Sequence, residues 1–553
     1  MRRSRLLIVV FLAGAFAQAA QALMGRAMLA AFQGNELDLG LFYAFWLLGI
    51  AAGSLGAARG AGRLRRPAAA FSAAAVFLPA AAAFGVLLLA LCRRFIGIPP
   101  SQPVPLGATA FWGLLATAPM GLGVGAMFSL ACAALHSNED AADAYGWDAL
   151  GGLAGGALSV LALSEGLPSW RFLGLMAGAL GASIAALPSE DAGRGGRSVG
   201  AGWALAALAL LSPLGLRLQA RVDALRFRSL LPGLELVESF ETPYQSVDIA
   251  LLGGQTSVVS DGKVAASFPE SSAPAAEAAL LWAEHPEARR FLLIEGVSRG
   301  LAAELLKYPV EAVDTLEPDG EAFTRIRPRL PAPWRQALDD PRVRVLTEDP
   351  RLFLNKAPEG AYDVIAALVP DPSTARLNRL FTREFYTRCR AALSQGGVLV
   401  ARAAPSANYM GRELRLYDAS IYRTLRDVFG DVRAAPGDST LFFASDGGGL
   451  SLDTVVLAKR YGSVRPAGGL PREALLALWS SERAAALDAE LKKGAPEANT
   501  DLKPVAYYFN TALWARLSGS GGLGALEAVR LAGARLFLMP ILVFLLLRLG
   551  YAL

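Results

Sequence analysis

Histidine and cysteine are scarce in this chain, with two of the first and three of the second in 553 residues. Cys92, Cys132 and Cys389 lie far apart, two of them in or beside apolar stretches, which excludes a disulfide framework and any metal-ligand spacing. His136 and His285 have no Cys or His nearby in sequence, so a zinc site is excluded as well. Charge is also sparse, 18% of residues against 54% apolar, well away from the balance of a soluble protein. The net charge of +5 comes largely from arginines beside apolar runs. Anionic lipid and the positive-inside bias account for these, and no nucleic-acid patch emerges.

What is present is unevenly spread. Residues 1–216 hold almost no charge outside short clusters, 217–533 have an ordinary mixture, and the last twenty or so are apolar again. The expected organisation is a multi-pass helical membrane bundle (1–216), a linker (217–233), a small β-sheet (234–270), an α/β domain (271–517), a Gly/Ser-rich linker (518–534) and a C-terminal membrane helix (535–552). Spans fit at 6–24, 40–58, 68–91, 107–135, 148–165, 171–187 and 201–216, seven in all, each of a length to cross all or most of a hydrocarbon core. Glycine and alanine dominate them, as in "GLGVGAMFSLACAAL", and small residues let helix backbones approach closely in lipid. A transport path would show as ionisable residues in mid-span. Asp148 and Glu165 are read at span ends instead.

Arg2, Arg3 and Arg5, with Arg59, Arg63, Arg65 and Arg66, set the N-terminus and the second loop in the cytoplasm of a cell (inner) membrane protein. Seven spans then carry the soluble part outside, whereas Arg217, Arg221, Arg226 and Arg228 pull it inside. Sequence alone leaves that side open.

From 234 to 268 the runs "LELVESF", "SVDIALL" and "TSVVSDGKVA" are β-rich and broken by Gly253-Gly254 and Asp261-Gly262, which predicts a small antiparallel sheet. Strands and helices then alternate from "RRFLLIEG" to "DVRAAPGDSTLFFAS", predicting a mostly parallel seven-stranded sheet covered by helices. Ligands bind such sheets at the carboxyl ends of the strands, near the point where strand order reverses. There the sequence has Glu295-Gly296-Val297-Ser298-Arg299-Gly300, then Glu317, then Glu348-Asp349, then Asp371. An acid closing the second strand commonly accepts from ribose hydroxyls.

The segments "TPYQSVDI", "SDGKV", "EHPEARRFLLIEGVSRGLAAELLKYPVEAVDTLEPD", "DDPRVRVLTEDPRLFL", "YDVIAALVPDPSTARLNRLFTREFYTRCRAALSQGGVLV" and "NTDLKPVAYYFNTALW" resemble the spermidine synthase family, in particular its bacterial membrane-fused branch. The likeness covers about 240–515. It implies a Rossmann-like fold of the methyltransferase and spermidine synthase kind with a small N-terminal antiparallel sheet. It also implies a polyamine aminopropyltransferase activity, in which decarboxylated S-adenosylmethionine, a co-substrate and not a tightly bound cofactor, gives its aminopropyl group to an amine such as putrescine. By this resemblance Gly296 and Gly300 border the donor, Glu317 holds its ribose and Asp349 its adenine amino group. Tyr244, Gln245, Asp371, Arg376 and Asn378 line the amine side. Asp371 and Asp261 are the carboxylates left for catalysis, with Glu270 close by in sequence.

The departures from the family pattern are specific. Its "GGGDGG" is replaced by a segment keeping only Gly296 and Gly300, with bulk from Val297 and charge from Arg299 where backbone approaches the donor. In its "D-x-x-D-P" the first aspartate accepts the proton, and here that position is Leu368. The glutamine expected after Asp261 is Ala265 or Ala266, and the family's "YHE" is missing from "APAAEAA". The expectation is a membrane-bound transferase on a polyamine or related small amine, with changed or lost chemistry. Its alternatives are a non-catalytic nucleoside- or ligand-binding module on a transporter-like bundle, and a transporter with a regulatory domain. Expected partners are the lipid bilayer and a small amine or nucleoside, without nucleic acid; homo-oligomerisation stays open.

Overall fold

Glycine on the inner faces of long apolar helices decides how the N-terminal part packs. The structure is a computed structural model that describes all residues except 1, 33, 35, 100, 101, 103, 136, 137, 270–272, 405–410, 494–496, 520–523, 525, 526, 529–532, 534 and 553. His136, Glu270 and most of the Gly/Ser-rich 518–524 stretch thus lie outside the described residues. Eight helices come first: α1 (Arg2–Phe32), α2 (Glu36–Ala61), α3 (Pro67–Ile96), α4 (Leu106–Leu135), α5 (Asn138–Ser164), α6 (Ser169–Ala185), α7 (Ser189–Leu211) and α8 (Pro213–Leu230). A Cβ added at Gly53 of α2 would lie 2.2 Å from the Leu122 carbonyl oxygen of α4. At Gly151 and Gly155 of α5 it would lie 2.0 and 2.1 Å from the carbonyl oxygens of Phe11 and Ala15 in α1. Backbones come this close only where the side chain is a hydrogen atom.

Among the described residues five helices, α1 to α5, are long and apolar enough to cross a membrane, or six if the bent pair α7–α8 counts as one span. The expected seven fall short for two reasons. α6 has only 17 residues. α7 carries Glu190, Asp191, Arg194 and Arg197 in its first half and breaks at Gly193, where φ is 63°. At Ser212–Pro213 the chain turns by 85°. Pro213 has no N–H with which to continue α7, and the Ser212 hydroxyl accepts from Leu214 N at 3.2 Å to cap α8. Residues 212–216 therefore leave the seventh span, and 217–230, expected as linker, continue the same helix. Asp148 is a second correction. It lies well inside α5, so close to α1 that a Cβ at Gly14 would sit 2.5 Å from its carbonyl oxygen. An ionisable group does stand within an apolar helix.

The starts of α1 and α5 are joined by an Arg3–Asp143 ion pair. Their other ends face the rest of the chain. Arg26 near the end of α1 donates to the Thr242 carbonyl at 2.7 Å, Ser169 at the start of α6 bonds Glu241, and Glu36 at the start of α2 accepts from Ala375 N at 2.5 Å. The C-terminal domain accordingly sits at the end of the bundle opposite the N-terminus.

β1 (Glu235–Glu241), β2 (Ser246–Leu252), β3 (Gln255–Ser260) and β4 (Lys263–Phe268) form the expected antiparallel sheet in sequence order. Next come α9 (Ala273–Glu284), β5 (Arg290–Ile294), α10 (Leu301–Leu305), β6 (Ala312–Leu316), α11 (Gly320–Ile326), α12 (Ala332–Ala337), β7 (Val343–Leu346) and α13 (Pro350–Lys356). They are followed by β8 (Tyr362–Ala367), α14 (Ala375–Asn378), α15 (Arg383–Ala392), β9 (Leu393–Ala403), α16 (Arg412–Arg426), β10 (Asp431–Ala435) and β11 (Thr440–Ser445). The seven-stranded order is β10-β11-β9-β8-β5-β6-β7, with β5 to β9 parallel and the β9-β11-β10 edge antiparallel. As expected, "RRFLLIE" and "YDVIAAL" are parallel neighbours, Phe291 opposite Val364. Order reverses between β5 and β8, which opens a crevice at their carboxyl ends. Phe240, Phe268, Val297 and Trp334 pack the small sheet against this layer. The helix Arg535–Ala552 forms as expected and exposes apolar residues such as Met539, Leu542 and Phe544.

Candidate active site

The crevice is built from four strand ends. β5 ends at Glu295, whose φ of 59° is left-handed, and the turn closes at Gly300 with φ 73°. A Cβ on Gly300 would fall 2.1 Å from the Trp334 ring, so only glycine fits there. Val297 and Arg299 do not fill the mouth, contrary to expectation. Val297 is buried in the packing between the sheets, and Arg299 pairs with Glu277 of α9. Gly296 has more room, its nearest neighbour being the Leu293 side chain at 3.3 Å.

Glu317 closes β6, and its Oε1 accepts from Val297 N at 2.8 Å. Burial, with Glu295 beside it, pushes its carboxyl up to about 8. It is half-buried and reaches the turn that follows β5. Asp349 is committed elsewhere: it caps α13, accepting from Arg351 N at 3.0 Å and Leu352 N at 3.2 Å, and it pairs with Arg379. The cap reading of this acid is therefore the one the geometry displays.

Leu368 follows β8. It is 4% exposed, packs with Leu293, Val398 and Val400, and donates its N–H to the Ile294 carbonyl at 3.2 Å. Apolar packing has taken over the site of the family's proton acceptor. Asp371, three residues on, accepts from the Tyr417 hydroxyl at 2.9 Å. Burial raises its carboxyl, opposed by Arg402 and Lys263. Asp261 sits in the β3–β4 turn at φ 45° and accepts from Ser246 N at 2.9 Å. Burial raises it too, while Arg26, Arg376 and Lys263 counter the shift. Lys263 is pulled down by burial and faces Asp371, Asp38 and Asp261 together. The two carboxylates expected to matter are thus both coupled electrostatically to one lysine.

Gln245 donates from Nε2 to Asp319 Oδ2 at 3.0 Å, and Thr242 Oγ1 reaches the same oxygen at 2.7 Å. Tyr244 beside it is half exposed. Arg376 is exposed and electrostatically coupled to Asp261 and Glu295. Asn378 is a correction. It is buried, and its Oδ1 accepts from Asn499 Nδ2 at 3.0 Å and Tyr507 N at 3.2 Å, tying the loop to the helix Val505–Leu517 and not facing the crevice. Sequence reading missed Lys263, Arg402, Tyr417, Asp319 and the bundle's Glu36. A charge inside the apolar strand "VLVARAA" was the available signal for Arg402; Glu36 had none.

Residues 278–427, the stretch from α9 through β5 to β9 and α16, match the family described as Spermine/spermidine synthase domain. The chain carries a spermine/spermidine synthase domain. Among relatives of this synthase domain, the Polyamine aminopropyltransferase of Nitrosomonas europaea is 35% identical over 150 residues, 27% of this chain and 44% of that protein. Polyamine aminopropyltransferase 2 of Streptomyces coelicolor is 40% identical over 124 residues, 22% of each chain. The solved spermidine synthase from Thermotoga maritima is 23% identical with a TM-score of 0.38, covering 47% of this chain and 88% of that one. The chain spans under half the length of the curated relatives it matches.

Proposed function

We propose that the synthase domain is a membrane-tethered transferase of the aminopropyl type, acting on a polyamine or related amine with a nucleoside-sulfonium donor. The observation that carries this reading is the reversal of strand order between β5 and β8, with Glu317 at one strand end and Asp371, Asp261 and Lys263 beyond the other. The nucleoside lies over Gly296 and Gly300, its ribose on Glu317. The amine lone pair attacks the carbon next to the sulfonium, the C–N bond forms, and the C–S pair returns to sulfur to leave a neutral thioether. The amine's proton passes to a carboxylate. Leu368 cannot take it, and Asp371, raised by burial and held by Tyr417, is the group in position to do so. Losing the usual base costs about 10²- to 10⁴-fold, so transfer to putrescine is slow.

The bundle is read as membrane-spanning, with the N-terminus and Arg59–Arg66 on the cytoplasmic side. The contacts of Arg26, Ser169 and Glu36 then support an extracytoplasmic synthase domain. The test uses the full-length protein in detergent. Calorimetry with decarboxylated S-adenosylmethionine, S-adenosylmethionine and methylthioadenosine is expected to give saturable binding that Glu317→Ala abolishes. A radiolabel assay with putrescine is expected to stay well below about 1 s⁻¹, ordinary for an enzyme. Absence of nucleoside binding overturns the reading, and fast turnover overturns the account of the missing base.

A further inference from the structure

Between the bundle and the small sheet lies a cavity of about 120 Å³. Cavities of roughly 150 Å³ hold one benzene-sized molecule. Leu23 of α1, Val86 of α3 and Leu173 of α6 make one wall apolar. The other carries Arg26, Asp223, Arg226, Glu241 and Asp261, three acids to two arginines. Arg226 is already paired with Asp248 and Arg26 stands 3.6 Å from Glu241, and Asp261 is shared with Arg376 and Lys263, so Asp223 is the acid of this wall left to meet an added cation. Arg26 Nε, Arg226 Nη1 and Gln219 Oε1 are closed to solvent without a hydrogen-bond partner among the described residues. Of these only Gln219 Oε1 can accept from an ammonium, and the two arginine N–H groups call for an acceptor such as water.

α8 says where a ligand comes from. Lying at 85° to α7, it exposes Leu214, Leu218 and Leu225 beside exposed Arg217, Arg221 and Arg228. Each set has the same spacing of four and then seven residues, so a leucine ridge runs next to an arginine ridge. That is the pattern of a helix lying in a membrane interface. Its other face turns Gln219, Asp223 and Arg226 to the cavity. The cavity therefore lies just beneath an interfacial helix. On its far wall Gln245 both lines the cavity and donates to Asp319 at 3.0 Å, at the strand end beside Glu317.

We propose that this cavity binds the ammonium head of an amphiphilic primary amine drawn from the bilayer interface. Asp223 holds the head, the apolar wall takes the first carbons, and Gln245 and Asp261 mark the way to the synthase crevice. Only that last step rests on the transferase reading; the binding itself does not.

Trp170 lines the cavity and serves as reporter. The full-length protein in phosphatidylcholine nanodiscs is titrated with 11-bromoundecylamine, whose bromine quenches indole fluorescence. Saturable quenching is expected, largely lost in Trp170→Phe. Affinity is expected to drop about tenfold in Asp223→Asn, as for loss of one charge-assisted contact, and 11-bromoundecanoic acid is expected not to bind. Should Asp223→Asn fail to fold, Leu173→Trp, which fills the apolar wall, is expected to remove the quenching. Unsaturable quenching means a cavity holding only water and overturns the proposal, as does equal binding of the acid. Putrescine competing as well as the long amine overturns the bilayer source. If the amine binds but accepts no aminopropyl group, the route from cavity to synthase site falls and the cavity assignment stands, while the transferase reading itself falls only with nucleoside binding.

Discussion

The two sides of the synthase crevice have been treated differently. On the β5/β6 side stand the residues proposed above for the nucleoside: Gly300 in its left-handed turn against Trp334, and Glu317 accepting from Val297 N. On the β8 side Leu368, which has no atom able to accept a proton, is sealed into the core. On the proposed transferase reading the donor side keeps its acid, while the acceptor side turns on Asp371, Asp261 and Lys263, with Asp38 of the bundle coupled to that lysine. On that reading, binding a nucleoside and activating an amine are separable demands on one sheet.

The largest effect expected on that comparison is from Gly300→Ala. A methyl group 2.1 Å from Trp334 at positive φ costs several kcal/mol, about 3 or more, and is expected to abolish both cooperative unfolding at the wild-type temperature and nucleoside binding. An unchanged melting curve would break the claim that this turn is fixed by packing. Next is Leu368→Asp. Restoring the family residue puts a carboxylate among Leu293, Val398 and Val400, so thermal denaturation should show a loss of about 2–4 kcal/mol with no return of fast transfer to putrescine. Full activity in that variant would show that the acceptor side lacks nothing but its base.

Glu317 offers a test by pH. Its folded value of about 8 lies above the ordinary 4.5, so between these the folded state holds a proton that the unfolded state has released. Its contribution to stability is present below 4.5 and is lost as pH rises towards 8. Denaturant midpoints measured from pH 5 to 8 should fall for the wild type and fall less for Glu317→Gln; parallel slopes would remove the account of a raised acid. The smallest effect is from Asp349→Ala, which removes a helix cap worth about 1 kcal/mol. Its nucleoside affinity should change less than that of Glu317→Ala, and a larger change would return Asp349 to the adenine site.

Much of the crevice was readable from sequence because strand ends are local events. "RRFLLIE", "AVDTLEPD" and "YDVIAAL" each announce a buried strand and the acid or loop that follows. The glycine stripes announced close helix packing equally well. What stayed hidden depends on distant partners or on period. Asp349 and Asn378 read as ligand residues because Arg379 and Asn499, which occupy them, are not visible as neighbours in a linear chain. α8 read as a charged linker because its leucine and arginine ridges separate only when wound at 3.6 residues per turn. The start of α2, reaching Ala375 with Glu36, carried no sign of that destination.

The contact from Arg26 to Thr242 joins residues 216 positions apart, and it has a consequence for how the molecule is made. Closing so long a stretch of chain is slow compared with winding helices or forming local hairpins. During synthesis the first helix is in place long before the small sheet exists. The wall that Arg26 shares with Glu241 and Gln245 is therefore assembled last, after both partners have folded separately. A chain halted before docking would hold a finished bundle and a finished nucleotide-type sheet, yet no junction between them. Maturation of the protein should accordingly show a late step that neither half displays when produced alone.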